Sequence, residues 1–110
     1  MASTPIYPRN TEADDVLFNG DKAVAVAGTA EALVSVATPC YEVTIQAKST
    51  NTDKIFIGGE NVPNDETGGV FLTGGQSITL TPIDLQQIFV NSVVNGEGVS
   101  FIYWTAVAGL

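Results

Sequence analysis

Carboxylates are the main chemical resource of this sequence: it holds 12 Asp and Glu residues in 110 positions, and no histidine to work beside them. Without imidazole, the commonest general acid–base group and the commonest neutral metal ligand are both missing, which excludes Ser-His-Asp hydrolysis. Cys40 is the single cysteine. It therefore forms no internal disulfide and no thiolate cluster, and it has no imidazole partner to activate it as a nucleophile. Next to Tyr41 at a strand start, it reads as a small core residue. Asp53, Glu60, Asp65 and Glu66 fall in and around a loop from Gly58 to Gly69. Oxygen ligands of this kind suit Ca²⁺, but the spacing matches no calcium loop, and a solvated loop on an acidic protein is the simpler account. The pairs Gly58-Gly59, Gly68-Gly69 and Gly74-Gly75 would offer backbone amides to an anion only with a helix start or a lysine behind them, and neither follows. They read as turn formers. No catalytic residue, cofactor or metal is assigned, and the expectation is a protein that is not an enzyme.

The charge balance points the same way. Four basic residues against the 12 acidic ones leave a net charge of -8, with no basic cluster to neutralise a phosphate backbone. Nucleic acid is not an expected partner, and an anionic membrane surface would repel the chain. No apolar run approaches the ~20 residues that span a bilayer. The start, MASTPIYPRNTEADD, has neither the basic and apolar regions nor the cleavage site of a secretory signal, so a soluble chain folding in cytoplasm is expected.

Such residues need elements to hold them. Residues 1–16 are polar, contain Pro5 and Pro8 and show no period, which predicts an extended arm; the boundary with the folded domain is set at residues 20 and 21, leaving 21–110 as one domain. From Asp21 the period is close to two. Tyr41, Val43, Ile45 and Ala47 alternate with Glu42, Thr44, Gln46 and Lys48, as in a half-buried strand. Shorter runs of the same kind occur at 22–27, 32–36, 54–57, 77–81, 87–93 and 99–107. Residues 29–36 carry helix-favouring Ala, Glu and Leu behind a capping Thr29, but Pro39 leaves room only for a marginal helix, so they are assigned to a strand. Asn95-Gly96 predicts a hairpin joining the last two strands, while 82–86 breaks the alternation and predicts a 3₁₀ turn or loop. The fold class is all-β: a single antiparallel sandwich or jelly-roll-like barrel of about seven or eight strands, with an extended N-terminal arm.

Several strands are apolar on both faces. Val99, Phe101 and Tyr103 alternate with Ile102 and Trp104, Phe89 and Val93 with Ile88, Val90 and Val94, and Phe56 with Ile55 and Ile57. A strand in a small sandwich normally has one wet face. Phe56, Phe89, Val93, Ile102 and Trp104 are therefore candidates for an oligomer or capsid interface, unless the arm or a helix-like segment covers them.

From Gly28-Thr29-Ala30, through 39–47, Ile55-Phe56-Ile57-Gly58-Gly59-Glu60-Asn61-Val62, 69–80 and 84–90 to Gly98-Val99-Ser100-Phe101-Ile102-Tyr103-Trp104, the sequence resembles small structural proteins of tailed bacteriophages. The resemblance spans residues 22–104. It implies a virion part without enzymatic activity: a capsid decoration or cement protein, a head fibre, or a tail or adsorption component. Its implied partners are the major capsid protein or other virion proteins and further copies of itself, within a virion assembled in host cytoplasm. No site residue carries over. Decoration fits best, since a small domain with an arm bridges neighbouring capsid subunits. The alternative is a host-surface or carbohydrate-binding module on a tail or fibre, with Tyr103, Trp104, Phe56 or Phe71 as the sugar platform.

Overall fold

A computed structural model describes residues 15–81 and 83–106, except the side chains of Asp15 and Ala106. They form antiparallel strands: β1 (Asp15–Ala23), β2 (Glu31–Ala32), β3 (Pro39–Cys40), β4 (Glu42–Ala47), β5 (Ile55–Gly58), β6 (Val70–Leu72), β7 (Ser77–Leu80), β8 (Ile83–Asp84), β9 (Phe89–Ser92) and β10 (Gly98–Ala106). Two four-stranded sheets face each other. Sheet A has the order β1-β10-β4-β7 and sheet B the order β2-β9-β5-β6, while β3 and β8 pair separately. The all-β antiparallel expectation is met.

The core is made by alternation. Val43, Ile45 and Ala47 of β4 are fully buried, and across the ladder they meet Tyr103, Phe101 and Val99 of β10. Ile55, Ile57, Leu72 and Val90 of sheet B close on them from the other side. Burying four aliphatic side chains of this size from one sheet contributes on the order of 1.5–3 kcal/mol each before chain entropy is subtracted. The expected 3₁₀ turn is present at Leu85–Gln87, where Asp84 Oδ1 accepts from Gln86 N–H at 2.9 Å and from Thr38 N–H at 2.8 Å. That carboxylate pins the β3–β8 pair, with buried Leu85 beneath it.

Three expectations change. The sequence predicts an arm reaching residue 20, but β1 begins at Asp15 and pairs with β10 through all nine of its residues; residues 1–14 lie outside the described structure. Residues 29–36 form neither a helix nor a full strand: only Glu31–Ala32 pair, and bends follow. Their cohesion comes from Leu33, which is buried and donates its N–H to Ile88 O. The Asn95-Gly96 turn does not make a hairpin, because β9 belongs to sheet B and β10 to sheet A. Gly96 does adopt φ +86°, but its N–H reaches Val24 O at 2.7 Å and Asn95 Oδ1 accepts from Ala27 N–H, so the turn carries the chain across between sheets. Val70–Leu72, between two of the glycine pairs read as turn formers, is the edge strand of sheet B, paired with β5. The glycines before and after it do turn the chain, Gly69 at φ +72° and Gly75 at φ +89°. At Gly69 no side chain fits, since a Cβ would stand 2.6 Å from Ile57 O.

Candidate functional site

The five candidate interface residues do not share a surface. Ile102 and Trp104 point outward from sheet A, on the face opposite the core. Phe56 and Phe89 lie on the outer face of sheet B, and Val93 is exposed just beyond the end of β9. A single flat partner cannot touch both sheets.

Phe56 is also removed from any surface, with 2% of its area exposed. The loop after β5 folds back over it, and a buried amide holds the loop in place. Asn91, opposite Phe56 in the ladder, donates from Nδ2 to Val62 O at 3.0 Å, while its Oδ1 accepts from Gly28 N–H at 2.9 Å and Ser92 N–H at 2.8 Å. Asn64 Nδ2 adds a bond to Ser92 O at 3.1 Å. Phe56 and Val62 thus make a second small core outside sheet B, edged by the Phe71 ring at 6.2 Å. The two-sided apolar run Ile55-Phe56-Ile57 reflects cover on both faces.

The acidic loop is equally committed to structure. Asp65 bonds both the N–H and the hydroxyl of Thr67, and these bonds hold its carboxyl below the usual range. Glu66 lies 3.7 Å from Lys54, and Asp53 accepts from Lys54 N–H. Among the described residues no three Asp, Glu or Cys side chains converge as a metal would require. Cys40 is buried, and burial pushes its thiol up, so it stays protonated at neutral pH.

What remains open to a partner is the outer face of sheet A. At one end Leu17 of β1 stands directly opposite Trp104 of β10, and Ile102 is the next residue of β10 on that face. Leu17 is 59% exposed and Trp104 is 44% exposed. They border a depression of about 220 Å³ whose floor reaches Glu42 and Thr44. Beyond Ile102 the surface continues as a shallow groove of about 380 Å³ lined by Asn19, Thr44, Gln46, Ser77 and Ser100. Thr44 and Thr79 share a hydroxyl bond at 2.9 Å, and Gln46 Nε2 donates to Gly75 O. Asn19 and Ser77 are exposed and Ser100 half-buried, and their side chains make no hydrogen bond to another described residue. The face joins an apolar end to an uncharged polar carpet, all of it mounted on paired strands. Rows across such a sheet repeat every ~4.8 Å, and same-face residues along a strand every ~6.7 Å, which fixes the spacing of these groups before any partner arrives.

The sequence identified Ile102 and Trp104 but missed Leu17. The signal was there, since Val16-Leu17-Phe18 is the most apolar run before residue 24, but it sat inside the segment read as an arm. Tyr103 and Phe71 leave the aromatic platform too: Tyr103 faces the core side, where it stacks between Phe18 and Phe101, and Phe71 belongs to the other sheet. The chain matches no family model, no curated protein and no solved structure at a significant level.

Proposed function

We propose that this chain is a structural virion protein that decorates a capsid, attaching through the outer face of sheet A and the segment preceding β1. The observation that supports this reading is the Leu17–Ile102–Trp104 cluster: large apolar side chains exposed together on rigid strands, with polar groups around them. That is the anatomy of a protein-binding patch, an apolar centre inside a polar rim. An attached copy would add buried area across the joints between capsid subunits and so stabilise the assembled state over its parts. The strand orders β1-β10-β4-β7 and β2-β9-β5-β6 are compatible with a jelly roll, an architecture used by viral capsid and lectin domains alike. Imaging of intact particles tests the proposal. Regular copies over the head are expected, with Trp104→Ala or Leu17→Asp lowering occupancy; the protein found only at the tail tip would overturn it.

A second reading is favoured by one feature of the same face. Trp104 borders the depression that holds Glu42 and Thr44, and past Ile102 this gives way to a groove lined by hydroxyls and amides without a charged side chain, an arrangement that suits a neutral sugar stacked on an indole. Trp104 is the only tryptophan, so its fluorescence reports the site directly. Titration with neutral trisaccharides of glucose, galactose, mannose and N-acetylglucosamine would shift that emission under the adsorption reading and leave it unchanged under decoration.

A further inference from the structure

Sheet A has two free edges, β1 on one side and β7 on the other, and among the described residues neither pairs onward. Edge strands usually carry charge that prevents them from adding to another sheet. Here β7 holds none, and on β1 residues 16–20 form an uncharged stretch between Asp15 and the Asp21-Lys22 pair, in a chain whose net charge is -8. On the β7 side the sandwich is open. A cleft of about 250 Å³ runs between the sheets there, lined almost wholly by apolar groups including Ile57, Val70, Ile78, Leu80, Ile83 and Ile88. Val70 on its rim is 48% exposed. On the opposite side, β1 extends past the two-residue β2 and leaves Val16 and Phe18 exposed although they sit on the core-facing side of sheet A, where Phe18 stacks on Tyr103 at 5.3 Å.

We infer that β1 of one copy adds to β7 of the next, so that the chain self-associates head to tail and sheet A continues across subunits. Two features select a second copy as the occupant. The alternation agrees: in the plane of sheet A, β1 places Val16 and Phe18 on the side of Ile78 and Leu80, over the apolar cleft, and Leu17 and Asn19 on the side of Ser77 and Thr79. The charge agrees as well, because the joined edges are neutral stretches of an acidic molecule that otherwise repels its copies. Since the joined surfaces differ, the contact is heterologous, and repeated copies form a ring where the rotation closes. The shared edge is short, so it belongs to the small, transient class of interface below about 1,200 Å², strengthened where a particle holds neighbours close. The inference rests on the reading of this chain as an assembling structural protein, but it can fail separately: a chain that coats heads while staying monomeric at high concentration would sink the head-to-tail contact and leave attachment standing.

Sedimentation and native mass spectrometry of the full chain at about 0.1 mM, within reach of a weak interface, provide the test. Wild type is expected to be oligomeric, more so as salt rises. Phe18→Asp and Val70→Asp are each expected to give folded monomers, with Val16→Asp in place of Phe18→Asp should that variant lose its β signal. Mixing the β1 variant with Val70→Asp restores one intact contact and no second, so an equimolar mixture is expected to yield heterodimers that grow no further. A monomeric wild type, an oligomer that survives either substitution, or a mixture that stays monomeric overturns the inference; an edge-to-edge β1–β1 dimer would be revealed by Val70→Asp having no effect.

Discussion

Asn91 shows how much one side chain organises here. It is 1% exposed, and its amide satisfies two N–H groups and one carbonyl while holding the loop that hides Phe56. Asn91→Ala removes the bonds to the buried Val62 O and Ser92 N–H, while the exposed Gly28 keeps its bond to Ser92 O, and a loss of about 2–4 kcal/mol is expected, read as a lower urea midpoint. Phe56→Ala is expected to cost about 3–5 kcal/mol for the same small core, with little effect on attachment. Three carboxylates respond to acid, Asp65 with its bonds from Thr67 among them. Lys22, bonded to Glu31 at 2.9 Å, holds that carboxyl below its usual range, and at Glu97 the bonds from Thr52 and Asp53 outweigh a burial that pushes it up. A carboxyl whose folded value is depressed stabilises the fold above its unfolded value, near 4.3, and loses that contribution as pH falls through the folded value. Thermal midpoints are therefore expected to hold down to about pH 5 and drop progressively below about pH 4, with Glu97→Gln flattening part of that drop.

At the scale of elements, β1 carries the sharpest expectation. Removing residues 1–14 leaves its nine-residue ladder whole, whereas cutting to residue 20 strips more than half of that ladder and should unfold or aggregate the chain. Circular dichroism of the two truncations decides it. Strand β4 was legible because one of its faces is core and the other solvent, the condition under which alternation is printed in sequence. β1 was not, since Val16, Leu17 and Phe18 are all partly exposed and no alternation results. The Asn95-Gly96 turn was legible as a turn but not as a connection: positive φ is needed equally for a hairpin and for a crossing between sheets, and local chemistry does not record which strand comes next. Of the candidate site, the sequence supplied Ile102 and Trp104 through their excess apolarity. It could not separate them from Phe56, whose equal apolarity is absorbed by a loop of the same chain.

For the whole molecule, the outer face of sheet A and its two edges point in different directions, so attachment to a particle and contact between copies need not compete. A substitution on the face, such as Trp104→Ala, is expected to reduce occupancy on heads without changing sedimentation, and Val70→Asp to do the reverse in solution. No helix among the described residues is long and apolar enough to cross a membrane.

The pairing of β1 with β10 has a consequence for how the protein is made. Asp21 finds its partner in Ser100, so the ladder joins segments from nearly opposite ends of the described chain, and β10 lies between β1 and β4 as the strand that unites sheet A. Until residues 98–106 have left the ribosome, β1 has no partner and β4 lacks one side. Folding is therefore expected to wait for β10 and to be slow, on the millisecond-to-second scale of non-local β topologies, and a nascent chain stalled at residue 97 should remain protease-sensitive. Through that interval the apolar stretch at 16–18 is uncovered, and synthesis rate and chaperone supply, rather than native stability, are expected to set the yield of soluble protein.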